Sequence, residues 1–176
     1  MIFQKTSIDN LLLIKPELLE DGRGYFTRTF CVKEFGKLNI SFEILQTSIS
    51  YTKPKGTLRG LHFQIAPFEE TKIVQCLKGC IFDVVIDLRP GSKTYGNHET
   101  FELNGQYKHM LYIPRGVAHG FQTLTEDCEV LYYMSEYYSG EHARGIRWND
   151  PKFNIQWPLK NPILSDKDQS WPEYKL

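Results

Sequence analysis

The sequence predicts an all-β chain: a jelly-roll, double-sheet barrel with short helices and an irregular C-terminal tail. Short runs rich in Val, Ile, Phe and Tyr recur at spacings near ten residues, with Gly and Pro turns between them. No stretch sustains the apolar period of a long amphipathic helix, so helical crossovers joining parallel strands are not expected. Aromatic residues make up 14% of the chain, which favours pleated, half-buried surfaces. At 176 residues the chain is expected to form one domain, spanning 1–176, with its own core.

The elements follow in order. Leu11 to Lys15 reads as a short strand, and Pro16 to Gly24 as a loop ending in Asp21-Gly-Arg-Gly. Arg23, set between glycines, is either a solvated turn residue or a cation where the backbone can approach an anion closely. After Tyr25 to Phe30, Lys33 to Leu38 is the best short helix. From Phe42 to Tyr51 the residues alternate. Ile44, Gln46, Ser48 and Ser50 lie on one side, and Leu45, Thr47, Ile49 and Tyr51 on the other. The apolar side is expected to pack, and the Gln and Ser side to face water or a polar cavity.

Gly56 to Gln64 reads as a strand carrying one imidazole, His62, in an otherwise apolar run. Such a histidine is either a hydrogen-bonded core residue or one presented to a ligand. Thr71 to Leu77 places Lys72, Val74 and Cys76 on one face, and a lysine leading an apolar strand is commonly a snorkelling edge residue. Lys78-Gly79 turns the chain into Ile81 to Leu88. Strands at 98–103 and 109–113 follow, then a turn through Pro114 to Gly120, then strands at 121–124 and 128–134. Beyond Tyr138 the density of Trp and Pro suggests a tail lying across the body.

Composition excludes several classes of function. Lys plus Arg and Asp plus Glu both number 21, and no basic run could neutralise a row of phosphates, which argues against nucleic acid. No apolar run approaches the length of a signal peptide or a membrane span, so a cytoplasmic protein is expected. Cys31, Cys76, Cys80 and Cys128 fall at no zinc or redox spacing and read as free thiols.

Histidines on barrel strands first suggest a metal cupin. The second half of that pattern, P-x-G-x-x-H, is present as Pro114 to His119, but the first half needs two closely spaced histidines and a glutamate, where this chain has His62 alone. An open catalytic metal normally has three protein donors, so no metal and no cofactor are expected. The same cavity could instead run proton chemistry beside a carbonyl. That requires a base, a cation on the developing enolate oxygen, and an acid to return the proton. His62, Lys72 and Tyr132 are of the right types, and Asp83, Asp87, Asp150 and Asp168 are all eligible to orient the imidazole.

RGLHFQ at 59–64, KIVQCLKGCIFDVVIDLR at 72–89, YIPRGVAHGF at 112–121, Tyr132 with Tyr138, GIRWNDP at 145–151 and LSDKD at 164–168 together resemble the dTDP-4-dehydrorhamnose 3,5-epimerase family, in register over nearly the whole chain. The resemblance implies a cupin-like jelly roll, a homodimer, and metal-independent inversion of C3 and C5, or C3 alone, on a nucleotide-linked 4-keto-6-deoxyhexose. By that resemblance His62 is the base, paired with Asp168; Lys72 stabilises the enolate; and Tyr132 is the acid on the opposite face. Arg23, Arg59, His119 and Lys167 match positions that bind the sugar nucleotide, Gln46, Thr47 and Ser48 match a segment lining the site, and Tyr138 matches an aromatic that stacks on the base. For Arg59 and His62 to face one ligand, Gly60 must mark a bulge. The family commonly has an acid where this chain has Arg28, and Asp-Asn where it has Thr47-Ser48. The nucleotide, the sugar and the number of centres inverted therefore stay open at this level. The alternatives are a sugar-nucleotide ketoisomerase and a catalytically silent sugar-nucleotide binding protein.

Overall fold

The computed structural model describes residues 1–175 and contains two antiparallel sheets packed face to face. The first has the order β1 (Ile2–Lys5), β2 (Leu12–Lys15), β10 (Met110–Ile113), β7 (Lys72–Lys78), β12 (Cys128–Met134), β5 (Gln46–Thr52). The second runs β13 (Ala143–Gly145), β6 (Leu58–Gln64), β11 (Val117–Thr123), β8 (Cys80–Asp87), β9 (His98–Asn104). A separate ribbon pairs β3 (Leu18–Asp21) with β4 (Gly24–Thr27). The helices are short, α1 at Val32–Gly36 and α2 at Asp166–Gln169. Among the described residues no helix is long and apolar enough to cross a membrane.

Val74, Cys76, Leu111 and Val130 of the first sheet meet Ile81, Val85, Val117 and Phe121 of the second in the central core. All are essentially removed from water, each large side chain contributing about 1.5–3 kcal/mol. The outer face of the first sheet is covered over β2, β10 and β7 by Phe35 and Phe42. The outer face of the second is covered by Ile146, Phe153 and Trp157, so the tail does lie across the body.

Several local expectations are corrected. Part of the expected loop at 16–24 is strand β3, which pairs with β4 directly after it, and Leu-Leu-Glu-Asp has no alternation to betray it. The strand expected from Phe42 begins at Gln46, and the strand expected from Phe121 already begins at Val117. The apolar side of β5 does not pack: Ile49 and Tyr51 are 61% and 52% exposed, because β5 is the sheet's edge and nothing among the described residues covers its outer face there. Gly60 does mark a bulge. Opposite β11 the register slips by one residue between His119↔His62 and Phe121↔Arg59. Its φ is +129°, and a Cβ there would lie 2.5 Å from the Gly120 Cα, so only glycine fits.

Candidate active site

Directly opposed residues in a sheet share a face, so the registers decide which side chains meet. In the first sheet Tyr132 lies between Val74 and Ser48, and Met134 between Lys72 and Gln46. The inner face therefore runs from apolar Val74 and Cys76 to polar Lys72, Tyr132, Gln46 and Ser48. In the second sheet His119 opposes His62, and Phe121 lies between Arg59 and Asp83. The bulge at Gly60 turns Arg59 to the same side as His62. The two polar ends enclose a cavity of about 360 Å³, lined by Gln46, Ser48, Lys72, Tyr132 and Met134 of the first sheet and Arg59, His62, His119 and Phe121 of the second, together with Phe63, Gln64, Glu70, Tyr138, Arg144, Lys167 and Trp171.

His62 is not sealed in the core: its side chain is 44% exposed and opens on the cavity. Its Nε2 lies 2.5 Å from Asp168 Oδ1, and Asp168 is itself buried. Burial opposes the charge on Asp168, but hydrogen bonds with His62, Ser165 and Trp171 outweigh it and hold the carboxyl below its ordinary value. A carboxylate acceptor assigns the neutral imidazole's hydrogen to Nε2, leaving the lone pair on Nδ1. Asp168 is delivered by α2, where Ser165 caps the helix by accepting from the Asp168 backbone N–H at 3.1 Å. Of the other eligible acids, Asp87 binds Arg89, Ser92 and Thr94; Asp150 accepts from the backbone of Lys152 and Tyr174.

Asp83 is taken by the second histidine, His119, whose Nε2 is 2.7 Å from Asp83 Oδ2. Both are buried, and desolvation raises the Asp83 carboxyl above its ordinary value despite the imidazole. Its Oδ1 is buried without a hydrogen-bond partner. The His119 ring meets Tyr132 edge-on, with centroids 6.3 Å apart. Burial, with a smaller contribution from the Asp83 carboxylate, pushes the Tyr132 phenol up, so it holds its proton.

Lys72 is not a snorkelling residue. It is 7% exposed, its Nζ pairs with Glu70 Oε1 at 2.6 Å, and both side chains line the cavity. Arg59 is braced by Thr52 Oγ1 at 3.0 Å and the Tyr51 carbonyl at 3.3 Å. Lys167 donates to the Tyr138 hydroxyl at 3.3 Å and sits 5.5 Å from the Trp171 ring centroid.

Two of the matched positions lie apart from this group. Arg23 is at the tip of the β3–β4 ribbon, paired with Asp21 at 2.6 Å and otherwise in water. Thr47 alternates away from Gln46 and Ser48 onto the exposed outer face. The residue-level reading missed Glu70 and Trp171. Glu70 precedes β7 in an irregular segment, where no periodicity aims a side chain. Trp171 follows Asp168 by three residues, a helical spacing that could have flagged it.

The family model for dTDP-4-dehydrorhamnose 3,5-epimerase matches residues 5–175. The dTDP-4-dehydrorhamnose 3,5-epimerase of Sinorhizobium fredii is 43% identical over 173 residues, covering 98% of this chain and 89% of that protein. The dTDP-4-dehydrorhamnose 3-epimerase of Streptomyces niveus is 33% identical over 170 residues, covering 96% and 82%. The crystal structure of the 3,5-epimerase from Bacillus anthracis, with TDP and PPi bound, superposes with a TM-score of 0.96 at 39% identity, covering 98% of this chain and 99% of that one.

Proposed function

This chain belongs to the dTDP-4-dehydrorhamnose 3,5-epimerase family, and on that premise we propose how it inverts C3 and C5 of a dTDP-linked 4-keto-6-deoxyhexose. It is an isomerase. The observation that carries the residue assignment is that His62, already held by a buried carboxylate, opens on the same cavity as an ammonium and a phenol from the facing sheet.

His62 Nδ1 takes the proton from the carbon beside the ketone, and Asp168 stabilises the imidazolium that results. The electron pair moves into the enolate, whose C4 oxygen is stabilised by the Lys72 ammonium. Tyr132, across the cavity on the other sheet, gives its proton to the opposite face of the carbon, which inverts it. Both groups then regain their starting states by exchange with water. Each turnover at one centre thus removes one proton and adds another. Arg59, His119 and Lys167 bind the sugar nucleotide, Gln46 and Ser48 line the sugar end, and Tyr138 stacks on the base. One domain carries all of this, with free thiols suited to the cytoplasm.

The active species is a homodimer. The outer face of β5 and the β3–β4 ribbon leave Ile49, Tyr51, Leu19 and Phe26 exposed, an apolar surface suited to a second copy. A partner copy is also the route by which Arg23 and Thr47 would reach a sugar nucleotide, since neither lies at this chain's own cavity.

Incubation in deuterated water with dTDP-4-keto-6-deoxyglucose tests the chemistry. Label and inversion at both carbons are expected. Label at C3 alone would make the enzyme a 3-epimerase, a displaced carbonyl would make it a ketoisomerase, and no exchange would leave a binding protein.

A further inference from the structure

We propose that Trp171 is a positioning residue for the base: its indole N–H and His62 Nε2 converge on the same carboxylate oxygen of Asp168, and its ring seats the tail that carries that carboxylate. The proposal rests on the assignment of His62 as base.

Trp171 Nε1 is 3.3 Å from Asp168 Oδ1, the oxygen that His62 Nε2 approaches at 2.5 Å. The indole also meets the His62 ring edge-on, with centroids 6.2 Å apart and planes at 66°. A carboxylate bound by one partner can swing about its side-chain torsions, whereas two donors on one oxygen and a helical backbone behind it leave one orientation. The helix itself cannot supply that rigidity, because its four residues are far below the length at which a helix holds its own shape. It is held at its start by Ser165 and after its end by Trp171.

The seat of the indole is built for it. At Gly145 on β13, a Cβ would lie 2.2–2.4 Å from atoms of the Trp171 ring, so glycine is required for the ring to lie flat there. Gly145 is the register partner of His62 on the adjacent strand. The wedge is thus referenced to the backbone that carries the base. The chain continues from the indole into a hydrogen bond from Arg147 N–H to the Pro172 carbonyl at 3.3 Å, which extends the anchorage past the ring.

Trp171→Phe removes one N–H donor while keeping an aromatic ring on Gly145. In the full-length protein the expected result is a fall in kcat for solvent-deuterium exchange of about tenfold with KM unchanged, the scale of a slightly misplaced catalytic group. The carbon-13 titration of the Asp168 carboxyl should move upward in the same variant, without substrate present. Gly145→Ala, which displaces the ring from below, should change both quantities in the same directions. Wild-type kcat in Trp171→Phe overturns the proposal, with or without a carboxyl shift. Should wild-type protein exchange no substrate while the carboxyl still shifts in Trp171→Phe, the assignment of His62 as base fails and the hold of Trp171 on Asp168 stands.

Discussion

Replacing Asp168 by Asn removes one charge from the site and almost no volume. In the native chain the Asp168 carboxylate accepts from His62 and from Trp171, and little of it meets water. The amide can still turn its oxygen toward His62 and keep the hydrogen on Nε2, but it no longer stabilises the imidazolium formed when Nδ1 takes a proton. Losing a hydrogen bond to a charged group costs about 1.5–3 kcal/mol, or roughly tenfold to a hundredfold in rate at 1.36 kcal/mol per decade. If the amide turns its NH2 to the ring, the hydrogen moves to Nδ1 and the base is lost; the same exchange in Ser-His-Asp sites costs about 10⁴-fold. The expected fall in kcat is therefore about 10–10⁴-fold, the lower end if the amide keeps the hydrogen on Nε2 and the upper end if it does not, read as deuterium incorporated at C3 and C5 under substrate saturation. A stability signature accompanies it. The Asp168 carboxyl is lowered by folding, so its contribution is complete above its unfolded value near ~3.9 and fades as pH falls through the lower folded value. The deficit of Asp168→Asn in Tm is largest at neutral pH and shrinks in acid. A folded Asp168→Asn protein that exchanges within threefold of wild type, or whose Tm deficit does not shrink in acid, refutes the reasoning.

Tyr132→Phe should still wash deuterium into substrate through His62 but return it without inversion; full-rate inversion would assign the acid elsewhere. Lys72→Met should lower kcat by about 10²–10³-fold, as loss of one preorganised oxyanion donor does, and a change confined to KM would reduce Lys72 to a binding group. Gly60→Ala should destabilise the fold by at least about 2 kcal/mol in denaturant melts, because φ is +129° and the added carbon meets the Gly120 backbone. An unchanged midpoint would mean the bulge tolerates a side chain. Arg23→Ala, with its exposed guanidinium, should leave the monomer fold unaltered while raising KM, and light scattering should give twice the chain mass. A monomer with wild-type KM would remove the partner from the site.

The strand content was legible because the 42–51 stretch alternates and because β7 and β8 are short apolar runs rich in Ile and Val, separated by the turn at Lys78-Gly79. The ribbon of β3 and β4 was not read from the sequence, since its pairing is local, largely solvated and free of any pattern. Edge position defeated the packing expectation for β5: alternation marks two faces but not whether another surface covers them, and here Ile49 and Tyr51 stay exposed. Within the site, the residue types for a base, a cation and an acid were readable from chemistry alone. The choice of Asp168 over Asp83, Asp87 and Asp150 came from the family motif, since nothing in the spacing of the four aspartates separates them.

What the sequence determined by itself was the side-chain inventory and the strand periods, which are set by neighbours within a few residues; the need for a bulge at Gly60 followed from the family resemblance. Only the tertiary structure decided that Lys72 is buried against Glu70, that His119 takes Asp83, and that Trp171 shares with His62 one oxygen of Asp168. The His119–Asp83 and His62–Asp168 contacts join residues brought together by sheet register and by the return of the tail, 36 and 106 positions apart. Strand alternation specifies a face only relative to its own strand; the packing of two sheets is what makes two such faces the walls of one cavity.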